Sequence, residues 1–297
     1  RGAGNPPSYL GYATAYLWEQ VWARDSILDL IQNFIYIVEE TNETPLGNKK
    51  RVEKVIFPRY HQLDSVRELI ADAQAKGPGQ RYLIQHSAGS GKSYSISWLA
   101  HQLSHLHDEK NQRIFDSIII VTDRRVLDQQ LQTHVTAFEQ VRGLVETIGK
   151  GKTSKDLAIA LEKGKNIIVS TIQKFPYIVE EIGKLGGSNF AVIIDEAHSS
   201  QGGETSHQMQ QVLAAGSLEE AENLEGEPLE DWEDRVVEAA QARGLLPNVS
   251  YFAFTATPKQ KTLELFGTRN ESGEYEPFSL YSMRQAIEEG FIRFRPL

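Results

Sequence analysis

Lys92 and Ser93 stand at the end of a short Gly/Ser turn, in the string YLIQHSAGSGKSYSISWLA that begins at Tyr82. Tyr82-Leu83-Ile84 reads as a buried strand, and a helix is expected to open at Lys92-Ser93. A strand, a Gly-rich turn and a helix in this order suit a bound phosphate. The backbone N–H groups of Ala88, Gly89, Ser90 and Gly91 can curl around it, and the helix N-terminus behind them adds partial positive charge. Lys92 would reach the terminal phosphates, and the Ser93 hydroxyl would hold a magnesium ion. The pattern GxxxxGK[ST] asks for glycine at position 86, where His86 stands. A chance Gly/Ser turn before a helix is the competing reading.

A second group of chemically capable residues follows about a hundred positions later, as Asp195-Glu196-Ala197-His198 at the end of the apolar run Phe190–Ile194. Such a run suits a parallel strand buried on both faces. A carboxylate at its tip, Asp195, can hold the Mg²⁺ shared with Ser93 and the phosphates. Glu196 can orient or deprotonate an attacking water. Taken alone, an acidic strand-to-helix turn is also a common N-cap. The two motifs in this order favour nucleotide chemistry.

Positioning these residues requires parallel strands that end along one edge. From Val55 onward, strand and helix signals alternate, with strands expected at 82–85, 117–122, 166–170, 190–194 and 250–254. This rhythm predicts an α/β fold with a parallel, doubly wound sheet and phosphate chemistry at the carboxyl ends of its strands. Thr122, Ser170, Asp195 and Thr255 fall at such ends. Before it, residues 1–54 are expected to form a helical connector and linker. Helical spacing runs from Tyr9 to about Glu40, and Thr41 to Lys54 reads as a polar linker containing Pro45 and Gly47. The ATP-binding domain is expected over 55–297.

Composition fits a sizeable α/β core: the chain has 297 residues, of which 40% are apolar. It has no cysteine, which excludes disulfides and thiolate metal sites and suits a reducing compartment. No apolar run is long enough to span a membrane, and the N-terminus does not read as a signal peptide. The net charge is −9. Residues 201–248 hold eleven acidic and two basic residues and account for all of it. This acidic insertion reads as a solvated excursion, so a local basic groove elsewhere stays compatible with the net charge.

The ordered motifs resemble a family. Arg59-Tyr60-His61-Gln62, HSAGSGKS, Val121-Thr122-Asp123-Arg124, Ser170-Thr171-Ile172-Gln173-Lys174-Phe175, DEAH and Phe254-Thr255-Ala256-Thr257-Pro258 look like the first RecA-like lobe of a superfamily-two helicase or translocase. The fuller strings FPRYHQLDSVRELI, IFDSIIIVTDRRVLDQQL, STIQKF and VIIDEAHSSQ resemble the R, or motor-and-endonuclease, subunit of type I restriction enzymes. The similarity covers almost the whole chain. The final FIRFRPL departs from the family's pattern.

This resemblance implies a cytoplasmic ATPase whose parent couples hydrolysis of Mg²⁺-bound ATP to translocation along double-stranded DNA and to cleavage. Its implied partners are modification (M) and specificity (S) subunits, with no membrane. It implies catalytic roles for Lys92, Asp195 and Glu196, and a nucleotide site made by Gln62 with residues 88–93. Gln62 can pair with an adenine edge, or it can be a surface amide at a helix start. His198, Thr255 and Thr257 would couple the ATP site to DNA. Thr122, Arg124, Arg125, Ser170 and Thr171 would touch DNA phosphates, although Ser and Thr at strand ends are often helix caps. Alternatives are the first lobe of another superfamily-two DNA helicase, or a nucleotide-gated module that binds without hydrolysis.

Other features carry less. His101 and His105 have zinc spacing but lack a third ligand, so a solvated face is expected. Tyr9, Tyr12, Tyr16, Trp18 and Trp22 are expected to pack against a neighbouring domain rather than stack on bases. Asp108-Glu109-Lys110 matches a (D/E)xK nuclease triplet but has no upstream carboxylate partner. The chain opens at Arg1 without Met. A piece of a longer protein is therefore expected, with the nuclease centre and second motor lobe elsewhere.

Overall fold

The computed structural model describes residues 12, 14–43, 49–122, 135, 145–148, 154–171, 174–195 and 246–290. Arg124, Arg125, Glu196, His198, nearly all of the acidic insertion, the first eleven residues and FIRFRPL lie outside these.

Strands β3 (Arg81–His86), β4 (Ser117–Thr122), β5 (Val145–Ile148), β6 (Ile167–Thr171), β7 (Phe190–Ile194), β8 (Val249–Thr255) and a short β11 (Ser279–Tyr281) form one seven-stranded sheet. Its order is β11-β3-β8-β7-β4-β6-β5, and every neighbouring pair is parallel. The five strands expected from the sequence are present within a residue at either end. Their sequences are near-continuous apolar runs because both faces are covered: β4, β6, β7 and β8 are buried at every position.

Alternate residues of each strand feed two cores. On one face Tyr82, Ile84, Ile118, Ile120, Ile193, Phe252 and Phe254 pack with helices α2 (Tyr60–Lys76) and α3 (Lys92–Ser104). On the other, Leu83, Ile119, Val121, Val192, Ile194 and Ala253 pack with α4 (Ser154–Glu162), α5 (Phe175–Lys184) and α6 (Gln260–Phe266). This is the doubly wound, RecA-like arrangement that the motifs imply. A two-stranded pair, β9 (Thr268–Arg269) with β10 (Tyr275–Glu276), leads to β11, and α7 (Met283–Glu288) follows it.

The amino-terminal part departs from its expected form. A π-helical turn (Leu17–Val21) precedes α1 (Arg24–Asn33), and helix stops there. Residues expected to finish a helix and then form a linker instead make an antiparallel pair, β1 (Tyr36–Glu43) with β2 (Lys49–Ile56). The reason is period. Phe34, Ile35 and Val38 fit helical spacing, but Tyr36 and Val38 also share one face of a strand. Tyr36 and its partner Ile56 are buried, whereas Ile37 and its partner Val55 face out.

This segment shares a core with the helices on one face of the seven-stranded sheet, so packing continues across residue 54. Phe34, Tyr36, Val38 and Ile56 belong to the α2/α3 core. The Trp98 indole N–H donates to the Phe34 carbonyl at 2.8 Å, and Arg67 of α2 donates to Asp29 of α1 at 2.8 Å. Of the amino-terminal aromatics, Tyr16 meets Tyr60 edge-on, while Tyr12, Trp18 and Trp22 are exposed.

Candidate nucleotide-binding site

The loop from Ser87 to Gly91 leaves the carboxyl end of β3 and turns directly into α3. Two glycines make the turn possible: Gly89 has φ +74° and Gly91 has φ +81°. Both lie in the left-handed region, where a Cβ is strained. At Gly91 a Cβ would also meet the Gln62 amide nitrogen at 2.5 Å, whereas at Gly89 nothing lies within 4 Å. Ala88 and Gly89 form the exposed tip, while Ser87 and Ser90 are buried.

The Ser87 and Ser90 hydroxyls are enclosed yet have no hydrogen-bond partner among the described residues. Buried hydroxyls without partners are costly, and a phosphate cradled by this loop would bring acceptor oxygens beside them. Lys92, at the first turn of α3, is buried with its ammonium 3.5 Å from the His86 carbonyl. Ser93 is half-buried beside it. These donors fit a polyphosphate. The Ser93 hydroxyl and Asp195 are the groups that would hold a magnesium ion.

His86 occupies the position where the motif asks for glycine, and its surroundings explain why a ring fits. Residue 86 ends β3 in ordinary extended backbone, so no left-handed conformation demands glycine there. Its imidazole turns inward, 1% exposed, and Nε2 hydrogen-bonds with Ser279 Oγ at 3.1 Å. It meets His61, Phe254 and Tyr281 edge-on. His61, at the start of α2, bonds through Nε2 to the Ser90 carbonyl at 3.0 Å and stacks on Tyr281 with centroids 3.7 Å apart.

Burial, opposed by the Ser90 hydrogen bond and aided by Arg59, brings the His61 pKa down to about 4. Burial, with His61 and Lys92 nearby, brings His86 down to about 3. Both rings are therefore neutral in the folded protein well below the ordinary histidine range. An unfolded chain would protonate both near 6.5, so stability is full above that pH and is lost as pH falls towards 4. We expect acidification from pH 7 to pH 4.5 to cost on the order of 5 kcal/mol through this pair. Urea titrations across that range check it, and a smaller loss in His86→Gln than in the wild type identifies the source.

Gln62 is 3% exposed and already engaged. Its amide N–H₂ donates to the Ser90 and Gly91 carbonyls at 3.2 and 2.9 Å, and its oxygen accepts from Arg59 N–H at 2.9 Å. The side chain thus ties the start of α2 to the phosphate loop. One oxygen lone pair remains for a base edge.

Asp195 ends β7 at 2% exposure, and its N–H donates to the Val121 carbonyl at 2.8 Å. Thr255 ends β8, which lies between β7 and β3, so Asp195, Thr255 and the loop share one edge of the sheet. Two strand spacings, about 10 Å, separate the backbones of β7 and β3. The Thr255 hydroxyl accepts from the Thr257 N–H at 3.3 Å, and Thr257 itself is exposed.

The expected DNA contacts are less open. Thr122 and Ser170 are fully buried and Thr171 is nearly so, placing them beneath the surface a phosphate reaches. The Ser170 hydroxyl has no partner among the described residues.

The remaining polar groups have local roles. His101 Nε2 bonds to the Val135 carbonyl, and the ring nitrogens of His105 and His107 also face backbone carbonyls. Among the described residues, no group of three or more His, Cys, Asp or Glu is placed to hold a metal. Asp108 accepts from the Lys110 and Gln112 N–H groups and so closes a turn. Among the described residues, no helix is long and apolar enough to cross a membrane.

Sequence reasoning overlooked His61 and Tyr281. The out-of-pattern His86 was a signal that something unusual lies beneath the loop. Nothing in the sequence linked it to Ser279, 193 residues away.

Comparison with known proteins finds a family and several relatives. The SWI2/SNF2 ATPase family matches residues 61–219. The type I restriction enzyme HindI endonuclease subunit of Haemophilus influenzae is 29% identical over 275 residues, covering 90% of this chain and 22% of that protein. Among solved structures, a nuclease-deletion mutant of the Type ISP restriction-modification enzyme LlaGI, bound to a DNA substrate mimic, aligns with TM-score 0.45 and 18% identity over 79% of this chain and 18% of that one. The Sulfolobus solfataricus SWI2/SNF2 ATPase core with dsDNA aligns with TM-score 0.41 and 14% identity over 69% of this chain and 34% of that one. The chain spans about a fifth of the length of the curated relatives it matches.

Proposed function

The chain belongs to the SWI2/SNF2 ATPase family, and from that premise we propose that it is the ATP-binding motor lobe of a type I restriction R subunit. In this reading the longer protein couples ATP hydrolysis to translocation of double-stranded DNA and to endonucleolytic cleavage. It works in a complex with modification and specificity subunits in the cytoplasm. The observation that carries the nucleotide part is the phosphate loop, with its two left-handed glycines and two unpartnered buried hydroxyls, on the same sheet edge as Asp195. The restriction-subunit part rests on the similarity to one endonuclease subunit along 90% of the chain and to another along 62%.

The residues divide the work. Loop N–H groups and the α3 N-terminus hold the phosphates, and Lys92 neutralises their charge. Ser93 and Asp195 would hold a magnesium ion, whose charge would offset that developing on the phosphoryl oxygens. Glu196 takes the proton of the attacking water. Gln62 gives its remaining lone pair to the adenine amino group. His198, Thr255 and Thr257 carry the change from the nucleotide to DNA, which Thr122, Arg124, Arg125, Ser170 and Thr171 grip through phosphates. For the buried Thr122 and Ser170 this grip requires their strand ends to open.

The test is phosphate release by the full-length protein. Turnover should rise with duplex DNA and fall steeply with salt, because phosphate contacts release counterions. Turnover indifferent to duplex DNA would favour a module that binds nucleotide without motor activity. Stimulation by single strands alone would favour another kind of helicase.

A further inference from the structure

Both ends of the phosphate loop are tied to one residue that lies far from it in sequence. At its start, the Ser87 N–H donates to the Tyr281 carbonyl at 2.9 Å. At its end, the Ser90 carbonyl is held by His61 Nε2 at 3.0 Å, and the His61 ring lies on the Tyr281 ring, 3.7 Å away and within 8° of parallel. A third tie runs between His86 and Ser279. Tyr281 is itself fixed. It is 1% exposed, it pairs with His86 in the β11–β3 register, and its hydroxyl donates to Glu289 at 2.6 Å. Ser282 caps the intervening helix α7 through a reciprocal pair of bonds with Gln285.

We infer that Tyr281 is a positioning residue for nucleotide binding, and that β11 and α7 brace the phosphate loop from the edge of the sheet. This rests on the reading of the loop as a nucleotide site. A loop whose N–H groups must converge on a phosphate loses affinity when it is free to sample other shapes, so a clamp on both ends favours the binding conformation. The coupling is reciprocal: nucleotide on the loop should tighten β11 and α7 as much as they tighten the loop.

Two measurements test it. Tyr281→Leu keeps apolar volume and removes the ring stack, whereas Tyr281→Phe keeps the ring and loses only the bond to Glu289. In calorimetric titrations with Mg-ADP, Tyr281→Leu should bind about three- to tenfold more weakly, the scale of one lost aromatic pair. Tyr281→Phe should stay within about twofold of wild type. His61→Leu should weaken binding similarly, and combining it with Tyr281→Leu should add little, because both remove the same stack. A folded Tyr281→Leu protein with lower Tm and unchanged affinity would overturn the inference and leave Tyr281 a core residue.

The second measurement needs no variant. On the wild-type protein, saturating Mg-ADP should slow amide hydrogen exchange across residues 279–287 as well as in the loop. Protection confined to the loop and α3 would also overturn the brace. If the wild-type protein binds no Mg-ADP, it is the nucleotide-site reading that fails, and the inference falls with it.

Discussion

Lys92→Ala should all but abolish nucleotide binding. The ammonium is the only side-chain cation of the loop, and it would approach bound phosphates from the first turn of α3. Removing it deletes two or so charge-assisted hydrogen bonds, each worth roughly 1.5–3 kcal/mol. The dissociation constant for Mg-ATP should therefore rise by at least about a hundredfold. The fold should survive, since alanine is a good helix former at an α3 position and the lysine belongs to neither apolar core. Calorimetric titration measures the effect, with circular dichroism as the control for folding. Unchanged affinity in a folded variant would remove the phosphate-loop assignment, whatever the motif suggests.

Glu196→Gln should separate binding from chemistry. The amide keeps the shape of the side chain and cannot accept the water's proton. In the full-length protein, ATP affinity should stay within about threefold of wild type while DNA-stimulated turnover falls by about 10²–10⁴, the usual contribution of a positioned general base. Translocation should stop with it. Single-turnover phosphate release at saturating ATP and duplex DNA checks the chemical step directly. If that rate is retained, another group takes the proton and Glu196 is not the general base. The contrast between the two variants matters as much as either effect: Lys92 should govern affinity, and Glu196 the rate.

Much of the sheet was legible because parallel strands buried on both faces are continuous apolar runs bounded by polar turns. Ile118–Val121, Ile167–Val169, Phe190–Ile194 and Tyr251–Phe254 announce themselves in this way, and each proved to be a strand. The hairpin of Tyr36–Glu43 and Lys49–Ile56 was not legible. Its one buried face needs only a few apolar positions, which fit a helical period as well as a two-residue one. The pairing of Tyr36 with Ile56 resolves the ambiguity by burying both against Trp98 and its neighbours. Strand Ser279–Tyr281 was invisible for another reason. Three residues carry no usable period, and only an open edge of β3 makes them a strand.

The sequence alone raises the expectation of nucleotide chemistry: a lysine and a serine after a Gly/Ser turn, and paired carboxylates after an apolar strand, are local patterns whose spacing carries their meaning. It also determined the doubly wound sheet, because alternating strand and helix signals leave few ways to bury both. How the loop is held depends on contacts that form only in the folded molecule. Gln62 reaches the Ser90 and Gly91 carbonyls from another helix, His61 rests on Tyr281, and His86 fills the place where the motif asks for glycine. These contacts join residues far apart in the chain through side-chain packing and hydrogen bonds. No local pattern records them, because their energy exists only once the sheet has brought β3, β11 and α2 together.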